Sequence, residues 1–144
     1  MARKLIDWLS LADVLALHAE VMQRMGARPA PLREEGLLES AILRPQMAAY
    51  YDEADLVRQA ALLATGIAQA QAFIDGNKRT ALAAMETFLR VNGHRCRADS
   101  LDLAHQIEAL ATRTDSLAAA TARFEAWLRT HIGPLESAGA ADEG

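Results

Sequence analysis

No stretch of this sequence alternates apolar and polar residues with the period of two that a half-buried strand needs, while the helical period returns in segment after segment. That contrast confines the chain to helices packed on helices. Leu11, Val14, Leu15, His18, Val21, Met22 and Met25 recur at helical spacing between Ser10, which forms a capping-box pattern with Asp13, and Gly26. His18 falls on the apolar stripe and is expected as a hydrogen-bonded core histidine. "GARPAPLREEG" reads as a loop, and "LLESAILRP" as a short helix ending near Pro45. "QMAAYYDEAD" then reads as an exposed connection or surface flap. From Asp55, a plausible N-cap, "LVRQAALLATGIAQAQ" puts Leu56, Ala60, Leu63, Ala64 and Ile67 on one face, and so many alanines imply close helix approach in the centre of a bundle. A further helix spans 77–92, with Ala81, Leu82, Met85, Phe88 and Leu89 inward and Gly93 as its stop. Asp99 and Asp102 can cap another through Ala111. Asp115 or Ser116 can start a last one carrying Leu117, Ala120, Phe124, Trp127 and Leu128. The expected architecture is an all-α bundle of about six or seven helices. One domain is expected over residues 1–132, with 133–144 ("GPLESAGAADEG") a disordered tail.

Charge and cysteine usage narrow the function classes. With 15 Lys and Arg against 19 Asp and Glu, the net charge is −4, which argues against a general nucleic-acid binder. The single cysteine, Cys96, excludes an intramolecular disulfide, lacks the partners of a zinc cluster and is expected as a small buried hydrophobe; cytoplasmic residence follows as an expectation. The N-terminal apolar stretch is cut by Asp7, Ser10 and Asp13, so neither a signal peptide nor a membrane span is expected there.

Against that background, "QAFIDGNKRTAL" (71–82) is anomalous. Cations are disfavoured at a helix N-terminus, yet Lys78 and Arg79 stand at the start of one. Gly76 permits positive φ and close backbone approach, and Asn77 can cap the helix. Free amides, a lysine, an arginine and a tight glycine turn together make an anion cradle, in which a polyphosphate turns the repulsion into attraction. Asp75, beside it, suits Mg²⁺ bridging phosphate oxygens. The lack of a preceding strand separates the pattern from a P-loop.

These residues resemble the signature of the Fic/Doc family, His-x-Phe-x-Asp/Glu-Gly/Ala-Asn-Gly/Lys-Arg: Phe73, Asp75, Gly76, Asn77, Lys78 and Arg79 match in register. Lys78, and Leu82 where typical Fic members carry a second arginine, resemble the Doc (death-on-curing) branch, as do "LALH", "GLLESAILRPQ" and "FLRVNG" across roughly residues 8–130. The resemblance implies a toxin of a toxin–antitoxin pair, using ATP and Mg²⁺ to transfer the γ-phosphoryl group to a hydroxyl of a translation factor of the elongation factor Tu class. It assigns nucleotide phosphates to Gly76, Asn77, Lys78 and Arg79, Mg²⁺ to Asp75, charge neutralisation to Arg79, a loop anchor to Phe73, and a target-aligning flap to about 47–55. An antitoxin protein is the implied partner. No membrane and no direct nucleic acid are expected. The family's self-inhibitory pattern is approached only by "TARFEA" (121–126), which lacks the final residue, so any inhibition is expected in trans.

Gln71 departs from the pattern, occupying the position of the family's general-base histidine. An amide can hydrogen-bond a hydroxyl but has no titratable nitrogen, and loss of such a base slows the step by about 10²–10⁴-fold. No other histidine is an obvious substitute. Three accounts stay open: a natural pseudoenzyme, an inactivating substitution, or slow transfer without a base. A catalytically silent module binding nucleotide, antitoxin or another protein, and a transferase of AMP, are the alternative functions.

Overall fold

The computed structural model of the chain describes residues 5–29 and 31–135; residues 1–4 and the 136–144 part of the expected tail lie outside that range. Among the described residues are six helices and one two-stranded sheet, so the chain is an all-α bundle with a small β appendage.

The first helix, α1 (Leu11–Arg24), starts at Ser10 with the expected capping box, and Val14, His18, Val21 and Met22 face inward. Helix α2 (Glu35–Asp52) departs from expectation because it runs through Pro45 to Asp52. A proline inside a helix removes one hydrogen bond and crowds the carbonyl four residues back. Here tertiary packing offsets that cost: Ala41, Ile42, Pro45 and Ala48 form the buried face of α2. The stretch read as a flap is therefore the last turns of this helix, ending at Glu53 with φ of 54°.

Helix α3 (Leu56–Ala70) starts at the predicted cap, Asp55, whose side chain accepts from the Arg58 amide. Helix α4 (Asn77–Val91) follows the motif loop, α5 (Ser100–Ala111) is capped by Asp99, and α6 (Leu117–Arg129) by Ser116. Helix α3 packs against α2, α4, α5 and α6, which makes it the centre of the bundle. Its alanines permit this approach, and Gly66 permits the closest. A Cβ added there would stand 3.3 Å from the Cβ of Ala41 and 3.6 Å from its carbonyl oxygen, the carbonyl that Pro45 crowds.

Two strands went unrecognised in the sequence. Strand β1 (His94–Cys96) pairs antiparallel with β2 (Ile132–Pro134), matching Cys96 with Ile132. Three residues each are too few to show a period of two. The tail reading therefore fails at its start: Gly133 and Pro134 belong to β2, and the Leu135 amide bonds the Gly93 carbonyl at 2.8 Å. Cys96 is half-buried in β1, and burial raises its thiol pKa. Among the described residues no helix is long and apolar enough to cross a membrane.

Candidate functional site: the loop between α3 and α4

Residues 71–76 leave the last turn of α3 and enter α4 through two left-handed conformations, Gln71 (φ 48°) and Gly76 (φ 82°). The outside of this loop is pinned by the segment after α1. The amides of Arg33 and Glu34 donate to the Ala72 carbonyl at 2.6 and 3.1 Å, Leu32 and Phe73 form a β-bridge, and Arg33 Nη2 donates to the Gln71 carbonyl at 3.0 Å. The inside is pinned by α1. Phe73 is buried and stacks on the His18 ring, centroids 3.6 Å apart and planes 5° from parallel, while His18 Nε2 lies 2.9 Å from the Asp75 carbonyl. Because that partner is a carbonyl, Nε2 is the ring's donor. His18 is thus a core histidine, as expected, but it also fixes the backbone of the loop.

Asn77 differs from expectation. Gly76, not Asn77, occupies the N-cap position, and no side chain caps the helix. The Asn77 amide instead clasps Phe73 across the loop: Oδ1 accepts from the Phe73 amide at 3.1 Å and Nδ2 donates to its carbonyl at 2.8 Å. This clasp leaves the backbone amides of Asn77, Lys78 and Arg79 without an acceptor among the described residues. Glycine is favoured at 76 by its torsion, and a Cβ there would also stand 2.9 Å from the Met22 sulfur, which would have to shift.

The expected site residues converge. Gln71, Asp75, Gly76, Asn77, Lys78 and Arg79 line one cavity of about 310 Å³. Asp75 Oδ1 accepts from the Gly76 amide at 2.7 Å, and its carboxylate is exposed. Arg79 is exposed, with no hydrogen bond or ion pair among the described residues. Lys78 is not free: its Nζ lies 2.7 Å from Glu108 on α5, a partner invisible in the sequence. No histidine lines the cavity among the described residues, so the structure brings no substitute base to Gln71. Glu125, in the stretch nearest the self-inhibitory pattern, is engaged by Arg58 and Arg129.

The residues fit a hard cation only in part. Among the described residues no cluster of three His, Cys, Asp or Glu side chains could hold a metal, so Mg²⁺ at Asp75 would draw the rest of its shell from phosphate oxygens and water. A larger cavity, about 900 Å³, lies elsewhere, lined by Trp8, Met47, Tyr50, Tyr51 and Gln59 among others and by no motif residue.

A helical bundle that offers a fixed glycine turn, unpaired helix-start amides and two adjacent cations defines a class of anion-binding α proteins. The Fic/DOC family model matches residues 8–89 of this chain. The chain is 40% identical over 106 residues to the Toxin Doc of Mycolicibacterium smegmatis, covering 69% of this chain and 82% of that protein. It is 36% identical over 86 residues to the Protein kinase doc of Escherichia phage P1, covering 59% of this chain and 68% of that one. The chain belongs to the Fic/DOC family, in its Doc branch.

Proposed function

We propose that this chain is a Doc-type toxin that binds Mg²⁺ and ATP at the loop between α3 and α4 and transfers the γ-phosphoryl group to a hydroxyl of a cytoplasmic translation factor of the elongation factor Tu class, slowly because of Gln71. The observation that carries this reading is the row of unpaired amides at 77–79 beside Asp75 and Arg79. Support also comes from the relatives, one named a toxin and one a protein kinase. A toxin of this class works against a cognate antitoxin, the partner we assign to it.

In the proposed reaction the target's hydroxyl oxygen bonds to the γ-phosphorus, the bond from that phosphorus to the β–γ bridging oxygen breaks, and ADP departs. The chain's part is positioning and charge stabilisation. The loop amides and Lys78 hold phosphate oxygens, Arg79 neutralises charge on the group in transfer, and Asp75 holds Mg²⁺, which supplies further neutralisation of the phosphates. Gln71 can orient the target hydroxyl but cannot accept its proton, which goes to solvent.

Gln71 also favours a second reading, a catalytically silent module that still binds nucleotide or a partner protein. A paired assay separates them: the protein and its Gln71→His variant, each with Mg²⁺, purified elongation factor Tu, and ATP labelled on the γ- or the α-phosphate. We expect γ-label transfer by the His variant about 10²–10⁴-fold faster than by the protein itself. Transfer of α-label instead identifies an AMP transferase. ATP binding with no transfer by either protein leaves the silent module.

A further inference from the structure

A second, smaller cavity of about 200 Å³ opens behind the loop, enclosed by α3, α4 and α5. Its polar lining is Thr65, Gln69, Gln71, Lys78 and Arg113, and no carboxylate among the described residues lines it. It falls below the roughly 300–1,000 Å³ of pockets that take whole small molecules, so its ligand is a single compact group.

Arg113 identifies the sign of that group. Its Nη1 is held by the Leu110 carbonyl at 2.7 Å and by Gln69 Oε1 at 3.2 Å, which fixes the plane of the guanidinium. Its Nε is sealed from solvent with no hydrogen-bond partner, while its Nη2, which makes no hydrogen bond among the described residues, is not sealed. A pre-oriented arginine with an open donor, lining a cavity without carboxylates, matches the oxygens of a phosphoryl group. Lys78 joins the two cavities, since it and Gln71 line both. Its pairing with Glu108 is weak, because both side chains are about half exposed to water. Arg113 lies beyond residues 8–89, outside the stretch that the family model matches.

We propose that this cavity is a second anion site that takes a phosphoryl group beside the α3–α4 loop, with Arg113 and Lys78 as its cations and Glu108 as the internal anion that holds Lys78 until the ligand arrives. The proposal rests on the nucleotide reading only for the source of the phosphoryl group. That source is either the end of a bound nucleotide or free phosphate and phosphorylated product.

The test is a titration of the ¹⁵N-labelled protein with inorganic phosphate and, separately, with Mg·ATP, following the Arg113 Nε–Hε signal and the Gly76 amide. Phosphate is expected to move the Arg113 signal saturably. Arg113→Gln should weaken phosphate binding about tenfold, and Glu108→Gln should strengthen it by roughly threefold by releasing Lys78. If Mg·ATP moves Gly76 and Arg113 with one midpoint, the site receives the nucleotide's own phosphoryl group. If Mg·ATP moves Gly76 alone while phosphate moves Arg113, the site serves free phosphate or product. An Arg113 signal unmoved by both ligands in a folded protein overturns the second site, even where Gly76 responds. A Gly76 amide unmoved by Mg·ATP while phosphate still moves Arg113 sinks the nucleotide reading and leaves the anion site standing.

Discussion

A Cβ at position 76 meets two separate penalties, a φ of 82° and a distance of 2.9 Å to the Met22 sulfur. The torsional part of Gly76→Ala costs about 1–2 kcal/mol, whatever the space. The contact part depends on Met22, whose flexible end can move, so it is the smaller of the two. We expect Gly76→Ala to cost about 2 kcal/mol in denaturant unfolding and about 1.5 kcal/mol when measured on a Met22→Ala background, with Mg·ATP binding weakened in both. Equal costs on the two backgrounds would show that the sulfur contact contributes nothing. Gln71 sits in the same left-handed region without the excuse of lacking a Cβ. Helices commonly end on glycine at such a position, so Gln71 carries a torsional cost there, as Glu53 does at the end of α2.

Among the elements, the start of α3 is where charge and helix geometry meet. Asp55 caps the helix and also pairs with Arg129 of α6, at 2.8 Å. The Arg129 guanidinium holds the Asp55 carboxyl below its ordinary range. A carboxyl pKa depressed by folding adds stability above the unfolded value of about 3.9, and that stability is lost as pH falls through the folded value. Asparagine still caps but carries no charge, so Asp55→Asn isolates the ion pair. The pair is exposed, and screening limits the loss at pH 7 to under about 1 kcal/mol. Urea unfolding from pH 7 down to pH 3 checks this: the variant should be weaker at pH 7, and the gap should narrow as pH falls toward 3. A gap of the same size at both ends assigns the effect to cap geometry instead. The helices were legible in the sequence because caps and apolar spacing are local. The extension of α2 past Pro45 was not, since the packing that tolerates the proline comes from α3. Nor were β1 and β2, which are too short to carry a pattern. At the site, Phe73 to Arg79 were legible in register. Their partners were not, because His18 meets Asp75 across 57 residues and Lys78 meets Glu108 across 30, separations at which no spacing rule operates.

At the scale of the molecule, α3 is the helix that ties the others to the loop. It is packed by α2, α4, α5 and α6, and its C-terminal end carries Gln71 into the loop, so a displacement of α3 is also a displacement of the site. Close approach at Gly66 sets its position against α2. Two effects compete when a side chain is added there. Helix propensity favours any ordinary residue over glycine by up to about 1 kcal/mol. Crowding opposes it, and the obstacle is the Ala41 Cβ, which is fixed to its backbone and cannot rotate away as a side-chain tip could. For alanine the two nearly cancel, because its Cβ would stand 3.3 Å from the Ala41 Cβ. For leucine the added atoms have no space to enter, and overpacking of this kind costs up to about 3 kcal/mol. Gly66→Leu should therefore lower the melting temperature by roughly 10 °C. It should also weaken Mg·ATP binding measured well below that temperature, because the loop leaves α3 only five residues after position 66. A melting temperature within about 2 °C of the parent would mean that α2 and α3 do not meet backbone to backbone. Lower stability with unchanged ATP affinity would mean that the pins from 31–34 and from His18 hold the loop independently of the helix that leads into it.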